Sequence, residues 1–303
     1  METVASFWYT RKGFKGISQL ELLCIKSWLD NGYKFILYTY NLNDIVFMKL
    51  NELFDNFKLK DANEIIPFKD FFIDDRGAGV AAFSDYFRFF MIQATGIAWV
   101  DLDMVCLNNN SSIAQKDYII IQEAVNTRDV DVNIISPITH ITTSLLKFPP
   151  NSDFGNKLIS QSQEIVNDRK KVPWGIIGPA FLQKIVTECK FEKKALDYKQ
   201  TCQISWFEVD KFVLDDVSLD NNMFCLHLFS EMWRINHMRK DARYNKNSIY
   251  ALLLKKHNIE QLLKQLGYII SFYDKYIHKH IFYIRNCIKN TKLKLKRIIN
   301  VKI

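Results

Sequence analysis

The chain has 303 residues, of which 48% are hydrophobic, 14% aromatic and 24% charged, which excludes a disordered or low-complexity protein and supplies a sizeable core. No apolar run approaches the roughly 18 residues of a membrane span, and residues 1–10 lack the pattern of a secretory signal, so a cytosolic protein is expected. The formal charge of +8 is uneven: residues 255–303 hold twelve Lys/Arg against two Asp/Glu, leaving 29 basic and 31 acidic residues elsewhere. A near-neutral body argues against nucleic acid as a partner.

In chain order, residues 4–9 are β-branched and aromatic and predict a strand. Residues 17–30 carry Leu20, Leu23, Cys24 and Trp28 at helical spacing, closed by Asn31-Gly32, and 34–40 predict a second strand. This βαβ opening is that of an α/β nucleotide-binding half. A short strand and turn is expected over 65–72, and a loop over 74–79. The best-defined helix covers 80–94, with Phe83, Phe87, Phe90, Met91 and Ala94 as its apolar stripe and Gly96 ending it. A short strand over 97–100 follows, then strands over 118–122 and 130–135. Helices are expected over 139–147, 153–168 and 178–189, and late strands over 206–214 and 223–229. The pattern divides into a body, 1–247, and a helical basic tail, 248–303. The six cysteines form no C-x-x-C pair, which predicts reduced thiols with neither a disulfide framework nor structural zinc.

The sharpest chemical feature is Trp99-Val100-Asp101-Leu102-Asp103. Two carboxylates one residue apart at a strand tip repel unless a cation or donor relieves them. Hard oxygen ligands suit Mg²⁺ or Mn²⁺, and a metal with open positions takes a diphosphate. Ser84, Asp85 and Arg88 interrupt the greasy helix, with Asp85 and Arg88 on one face. The helix beyond Asp85 rises about 15 Å. The strand climbs back about 13 Å, so Asp85 and Arg88 return to the level of the carboxylate pair.

The run Gly79-Val-Ala-Ala-Phe-Ser-Asp85-Tyr-Phe-Arg88, with Gly96 and Trp-Val-Asp101-Leu-Asp103, resembles the sugar-binding region containing the D-x-D motif of retaining glycosyltransferases. These are relatives of the yeast initiating mannosyltransferase, the Gb3-type galactosyltransferases and capsular polysaccharide transferases; the catalytic domain of large glucosylating bacterial toxins is similar. The resemblance extends to Ser6-Phe-Trp8, Leu22-Cys-Ile-Lys-Ser27, Leu37-Tyr-Thr-Tyr40, Trp174-Gly-Ile-Ile-Gly178-Pro179 and His227-Leu-Phe-Ser-Glu-Met-Trp233. It departs where the family shows two glycines before the strand and this chain has Gly96-Ile97.

The resemblance implies an α/β fold of GT-A type, a Rossmann-like mixed sheet flanked by helices, that binds a nucleotide-sugar. It implies a Mn²⁺- or Mg²⁺-dependent transferase, with UDP favoured, moving a hexose or N-acetylhexosamine with retention. The expected acceptor is a glycan or lipid-linked glycan of lipopolysaccharide or capsule, with a protein side chain second. On this pattern Trp8 stacks on the base, Asp85 accepts from sugar hydroxyls, and Arg88 contacts sugar or diphosphate. Asp101 reaches ribose or metal, Asp103 binds metal, His227 is a third ligand, and Asn133, Gly178 and Pro179 border the sugar.

Plainer roles stay open for several of these. Trp8 also fits a core position, His227 a buried structural histidine, and Trp174 and Trp233 packing. Asp101-Leu-Asp103-Met-Val105 also fits a haloacid-dehalogenase phosphatase, with Asp216 and Asp220 as its later acidic motif. A binding protein on a degenerate transferase fold is the non-enzymatic alternative. Residues 277–303 interleave apolar and basic side chains, which suits peripheral contact with the anionic inner face of a membrane or a solvated helix.

Overall fold

The computed structural model describes residues 2–77, 79–125, 138–168, 171–214 and 217–300. The chain opens with β1 (Thr3–Phe7), α1 (Gln19–Asp30) and β2 (Lys34–Thr39), then α2 (Ile45–Leu53) and β3 (Phe57–Asp61). Next come α3 (Ala81–Thr95), β4 (Ala98–Val100), β5 (Met104–Cys106) and the one-turn α4 (Ser111–Ala114). The long strands β6 (Ile119–Val125) and β7 (Ile138–Lys147) precede α5 (Asp153–Asn167) and α6 (Pro179–Glu188). The chain closes with β8 (Cys225–His227), α7 (Ser230–Ile235), α8 (Ile249–Lys256), α9 (Ile259–Leu266) and α10 (His278–Asn300).

A six-stranded mixed sheet has the order β3-β2-β1-β4-β7-β6. The first four strands run parallel, β7 is antiparallel to both its neighbours, and β5 and β8 form a separate antiparallel ribbon. Strand periodicity sends alternate side chains to opposite faces. Val4, Val100 and Leu145 join one core, built with α1, α8 and α9. Ala5, Trp99 and Leu146 join the other, built with α3, α5 and α6. The result is three layers, helix on sheet on helix. Each fully buried Leu, Ile or Phe contributes about 1.5–3 kcal/mol, so the strand leading into Asp101 is fixed from both sides.

Local chemistry explains the element ends. Ser18 and Glu21 form a capping box on α1. Gly96 ends α3 in the left-handed region at φ 67, and a side chain there would crowd the Pro150 ring. The turn delivers the chain into β4.

Several expectations are corrected. Residues 139–147 are strand β7, not helix: the β-branched run Ile138-Thr139-His140-Ile141-Thr142-Thr143 pairs along β6. Residues 206–214 hold a 3₁₀ segment (Trp206–Phe212), not a strand. Residues 65–72 hold a 3₁₀ turn (Phe68–Asp70) after Pro67, whose ring cannot donate to a ladder. Elements α2, β3 and β5 went unrecognised. The strand expected over 130–135 lies outside the described residues. All six cysteines are free thiols.

Candidate active site

β4 ends at Val100, and the next three residues turn at the sheet edge under tight backbone control. The Asp101 amide donates to Ser144 O at 2.8 Å, and the Met104 amide donates back to Asp101 O at 3.0 Å. The β5–β8 register places Met104 opposite His227, and the Leu228 amide donates to Asp103 O at 2.8 Å. Asp103 and His227, 124 positions apart in sequence, therefore meet at one spot. Beyond β8, Phe229 adopts φ 52, rare for a bulky residue. That turn aims the Ser230 amide back at Asp103 Oδ2, 2.7 Å away.

Asp101, Asp103 and His227 each offer a ligand atom, and those atoms lie within 4.8 Å of one another. Two carboxylates and an imidazole suit Mn²⁺ or Mg²⁺ with positions left for a diphosphate. Burial raises the Asp103 carboxyl, but the His227 ring at 3.3 Å and the Ser230 amide outweigh it, so its pKa falls well below the usual carboxylate range. Burial pushes Asp101 upward; Arg88 opposes that and the Asp103 charge adds to it. Burial lowers His227, yet the Asp103 charge and hydrogen bond reverse this and carry it well above its ordinary value.

Arg88 stands as predicted at the level of the pair. Its Nη2 lies 2.8 Å from Asp85 Oδ1 and 3.2 Å from Asp101 Oδ1, so one guanidinium bridges the α3 carboxylate and the first D-x-D carboxylate. Nη1 donates to Thr143 O at 2.6 Å and Nε to Ser84 O at 3.3 Å, while the guanidinium lies 4.8 Å from the Trp99 ring centre. The residue is only 3% exposed. It pairs with two carboxylates and also lines the cavity, where the sequence pattern expects it to contact a ligand. Trp99 Nε1 also donates to Asp101 Oδ1 at 2.7 Å. Burial lifts Asp85 to about 6 against the pull of Arg88, and Thr143 Oγ1 donates to it at 3.4 Å.

These groups line a cavity of about 910 Å³, within the range of small-molecule sites. Six carboxylates line it (Glu21, Asp85, Asp101, Asp103, Glu123 and Glu231) against three cations (Arg76, Arg88 and Lys240). Carboxylates therefore outnumber the Lys and Arg side chains in its wall. Ser6 Oγ lines the same cavity, buried without a hydrogen-bond partner.

Of the other expected residues, Trp8 lines the cavity with Nε1 donating to Thr10 Oγ1 at 2.8 Å, and it also packs on the core. Pro179, first residue of α6, lines the cavity too. Gly178 lies behind it, where an added Cβ would stand 3.3 Å from Asp85 Oδ2. Trp174 is 50% exposed at the mouth under the Arg76 guanidinium, whereas Trp233 is fully buried. Asn133 and Asp216 lie outside the described residues. Asp220, which the phosphatase alternative needs, is exposed and does not line the cavity.

Sequence reasoning missed Glu21, paired with Lys240 in the cavity wall, and the Glu123–His140 pair. It also missed Thr143, which holds both Arg88 and Asp85. The signal for Thr143 was its β-branched run; for Lys240, on the far side of the fold from α1 in sequence, there was none.

No family model matches the chain, and no curated protein matches it. Among solved structures it is similar to the PaToxG glycosyltransferase, at 13% identity and a TM-score of 0.45 over 64% of this chain and 72% of that one. It is similar to the apo-form glycosyltransferase GlyE of Streptococcus pneumoniae TIGR4, at 10% identity and a TM-score of 0.39 over 86% of this chain and 64% of that one. It is also similar to the galactosyltransferase LgtC in complex with donor and acceptor sugar analogs, at 10% identity and a TM-score of 0.41 over 89% of this chain and 96% of that one.

Proposed function

We propose that the cavity binds a nucleotide-sugar with a divalent cation and that the protein is a retaining glycosyltransferase of GT-A type. One observation carries this: the ligand atoms of Asp101, Asp103 and His227 converge at a strand tip, within 4.8 Å of one another, beside the Arg88 bridge to Asp85. Asp101, Asp103 and His227 hold Mn²⁺ or Mg²⁺, which when bound supplies Lewis-acid neutralisation of charge on the departing diphosphate. Arg88 keeps Asp85 and Asp101 apart and oriented, so that neither needs to reorganise as the sugar–phosphate bond lengthens. Asp85 accepts hydrogen bonds from sugar hydroxyls and stabilises positive charge developing at the anomeric carbon. Trp8 stacks on the base, Ser6 Oγ gains a partner from the nucleotide, and Pro179 borders the sugar with Gly178 behind it. With no nucleophile assigned opposite the leaving group, attack on the face it vacates gives retention.

UDP-linked hexoses or N-acetylhexosamines are the favoured donors, and a lipopolysaccharide or capsule glycan the favoured acceptor. Among the described residues no helix is long and apolar enough to cross a membrane. In α10, Phe282 seals against the core, whereas Ile284 and Ile288 are 61% and 51% exposed amid Lys and Arg, as is Ile277 (39%) just before the helix. That face suits peripheral contact with anionic lipid near a lipid-linked acceptor.

The test is a nucleotide-sugar screen for Mn²⁺-dependent hydrolysis. Turnover of a UDP-sugar that stops on chelation and in Asp103→Asn is expected; cation-independent hydrolysis of simple phosphomonoesters with no nucleotide-sugar turnover would refute the assignment.

A further inference from the structure

A second set of ligand-type atoms converges on His227. The Glu123 carboxylate of β6, the Cys202 thiol and a ring nitrogen of His227 lie within 4.8 Å of one another, and all three residues are buried. The backbone assembles them. The His227 amide donates to Thr201 O at 3.1 Å and the Phe224 amide to Gln200 O at 2.9 Å, so the segment carrying Cys202 runs beside β8. Glu123 is held from the other side by its cross-strand partner His140, whose Nε2 stands 2.5 Å from Oε1.

The placement of the His227 ring between Asp103 and Cys202 gives this cluster its direction. Nε2 faces Asp103 Oδ1 at 3.3 Å, and beside a carboxylate that nitrogen carries the proton. The Asp103 charge favours the protonated ring, so a metal binding on the far side displaces the proton on Nδ1. That nitrogen is buried, in a residue 8% exposed, with the Cys202 thiol as its polar neighbour and no well-formed hydrogen bond. Native interiors rarely leave such atoms unsatisfied. An imidazole with one nitrogen held by a carboxylate and the other free is the arrangement found in metal-bound histidine. Thiolate, imidazole and carboxylate together suit zinc; manganese and magnesium prefer oxygen.

We propose that Glu123, Cys202 and His227 form a zinc site beside the D-x-D carboxylates, with Asp103 as the residue that orients His227. Zinc takes the Cys202 thiol as thiolate and His227 through Nδ1, and the protons displaced from both leave to water. A neutral imidazole has one lone pair to give, so zinc occupancy withdraws His227 from a cation held by Asp101 and Asp103. That consequence rests on the proposed function; zinc binding itself does not.

The test uses the full chain, stripped with chelator and titrated with Co²⁺ as a spectroscopic probe, then with Zn²⁺ against a chromogenic chelator. Expected are a near-ultraviolet thiolate-to-cobalt charge-transfer band, bleached by one equivalent of zinc, and its persistence in Asp101→Asn. Cys202→Ser should lose the band and weaken zinc binding by at least about 100-fold, since losing a ligand exceeds the 10–100-fold cost of losing an outer partner. Glu123→Gln should keep the band with weaker zinc affinity. Absence of the band in folded wild-type protein, or unchanged zinc affinity in Cys202→Ser, overturns the proposal. The wild-type spectrum decides even where a variant fails to fold. No measurement here depends on nucleotide-sugar turnover.

Discussion

The tip of β4 and the outer part of α10 both concentrate charge, and they treat it in opposite ways. At the tip, Asp85, Arg88, Asp101, Asp103 and His227 are largely withdrawn from water, and each contacts an oppositely charged or donating group. In α10, Arg285, Lys289 and Lys292 are exposed, and solvated charges interact weakly. Burial makes each charge at the tip depend on its partners, whereas the helix charges act nearly independently. Substitutions should therefore be costly at the first place and mild at the second.

The largest effect is expected for Asp103→Asn, which keeps shape and removes charge. Cation-dependent nucleotide-sugar turnover should fall by at least about 10²-fold, the scale of losing one preorganised electrostatic group, while circular dichroism stays that of the parent. Turnover within a few fold of wild type would remove Asp103 from the site.

Arg88→Met comes next and reads out in stability. It leaves the Asp85 and Asp101 carboxylates facing each other without their shared cation, and breaking a buried pair from one side costs about 3–5 kcal/mol. Urea unfolding should show this as a lower midpoint. Arg88→Lys should recover little, because a point charge cannot reproduce the forked contacts to Asp85, Asp101 and two carbonyls.

A smaller loss is expected for Trp99→Phe, which deletes the indole donor to Asp101 and keeps most of the apolar ring. A hydrogen bond to a charged group contributes about 1.5–3 kcal/mol; a midpoint unchanged in urea would show that Arg88 alone holds Asp101.

The smallest concerns the exposed helix. Replacing Lys289 and Lys292 together by Ala should leave stability within about 0.5 kcal/mol. Partition onto phosphatidylserine vesicles should weaken by about 1 kcal/mol per lysine. Equal partition of variant and parent would make this a solvated helix with no membrane role.

The sequence exposed one half of the site more clearly than the other. Asp85, Arg88, Asp101 and Asp103 fall within nineteen residues, on a helix and a strand whose rises cancel, so local geometry alone returns them to one level. His227 required the β5–β8 pairing, and β5 is three residues long, too short for periodicity to reveal. Its place was suggested by a family pattern, not by spacing. The misreading of β7 hid Thr143, since a helix over 139–147 would point that residue away from α3. Glu123 and Cys202 were invisible for a different reason. Metal-ligand spacing is legible only when ligands are close in sequence, and these come together through three separate segments. Glu21–Lys240 belongs to the same class, an ion pair closed by tertiary folding.

The central claim is that a cation held by Asp101, Asp103 and His227 is what admits an anionic nucleotide-sugar to a cavity lined by an excess of carboxylates. Calorimetric titration of UDP-sugars into wild-type and Asp103→Asn protein, each with and without Mn²⁺, tests it most directly. Saturable binding only for the wild type with Mn²⁺ present is the predicted result. Equal binding heats without the cation, or in the Asp103→Asn protein, would contradict it.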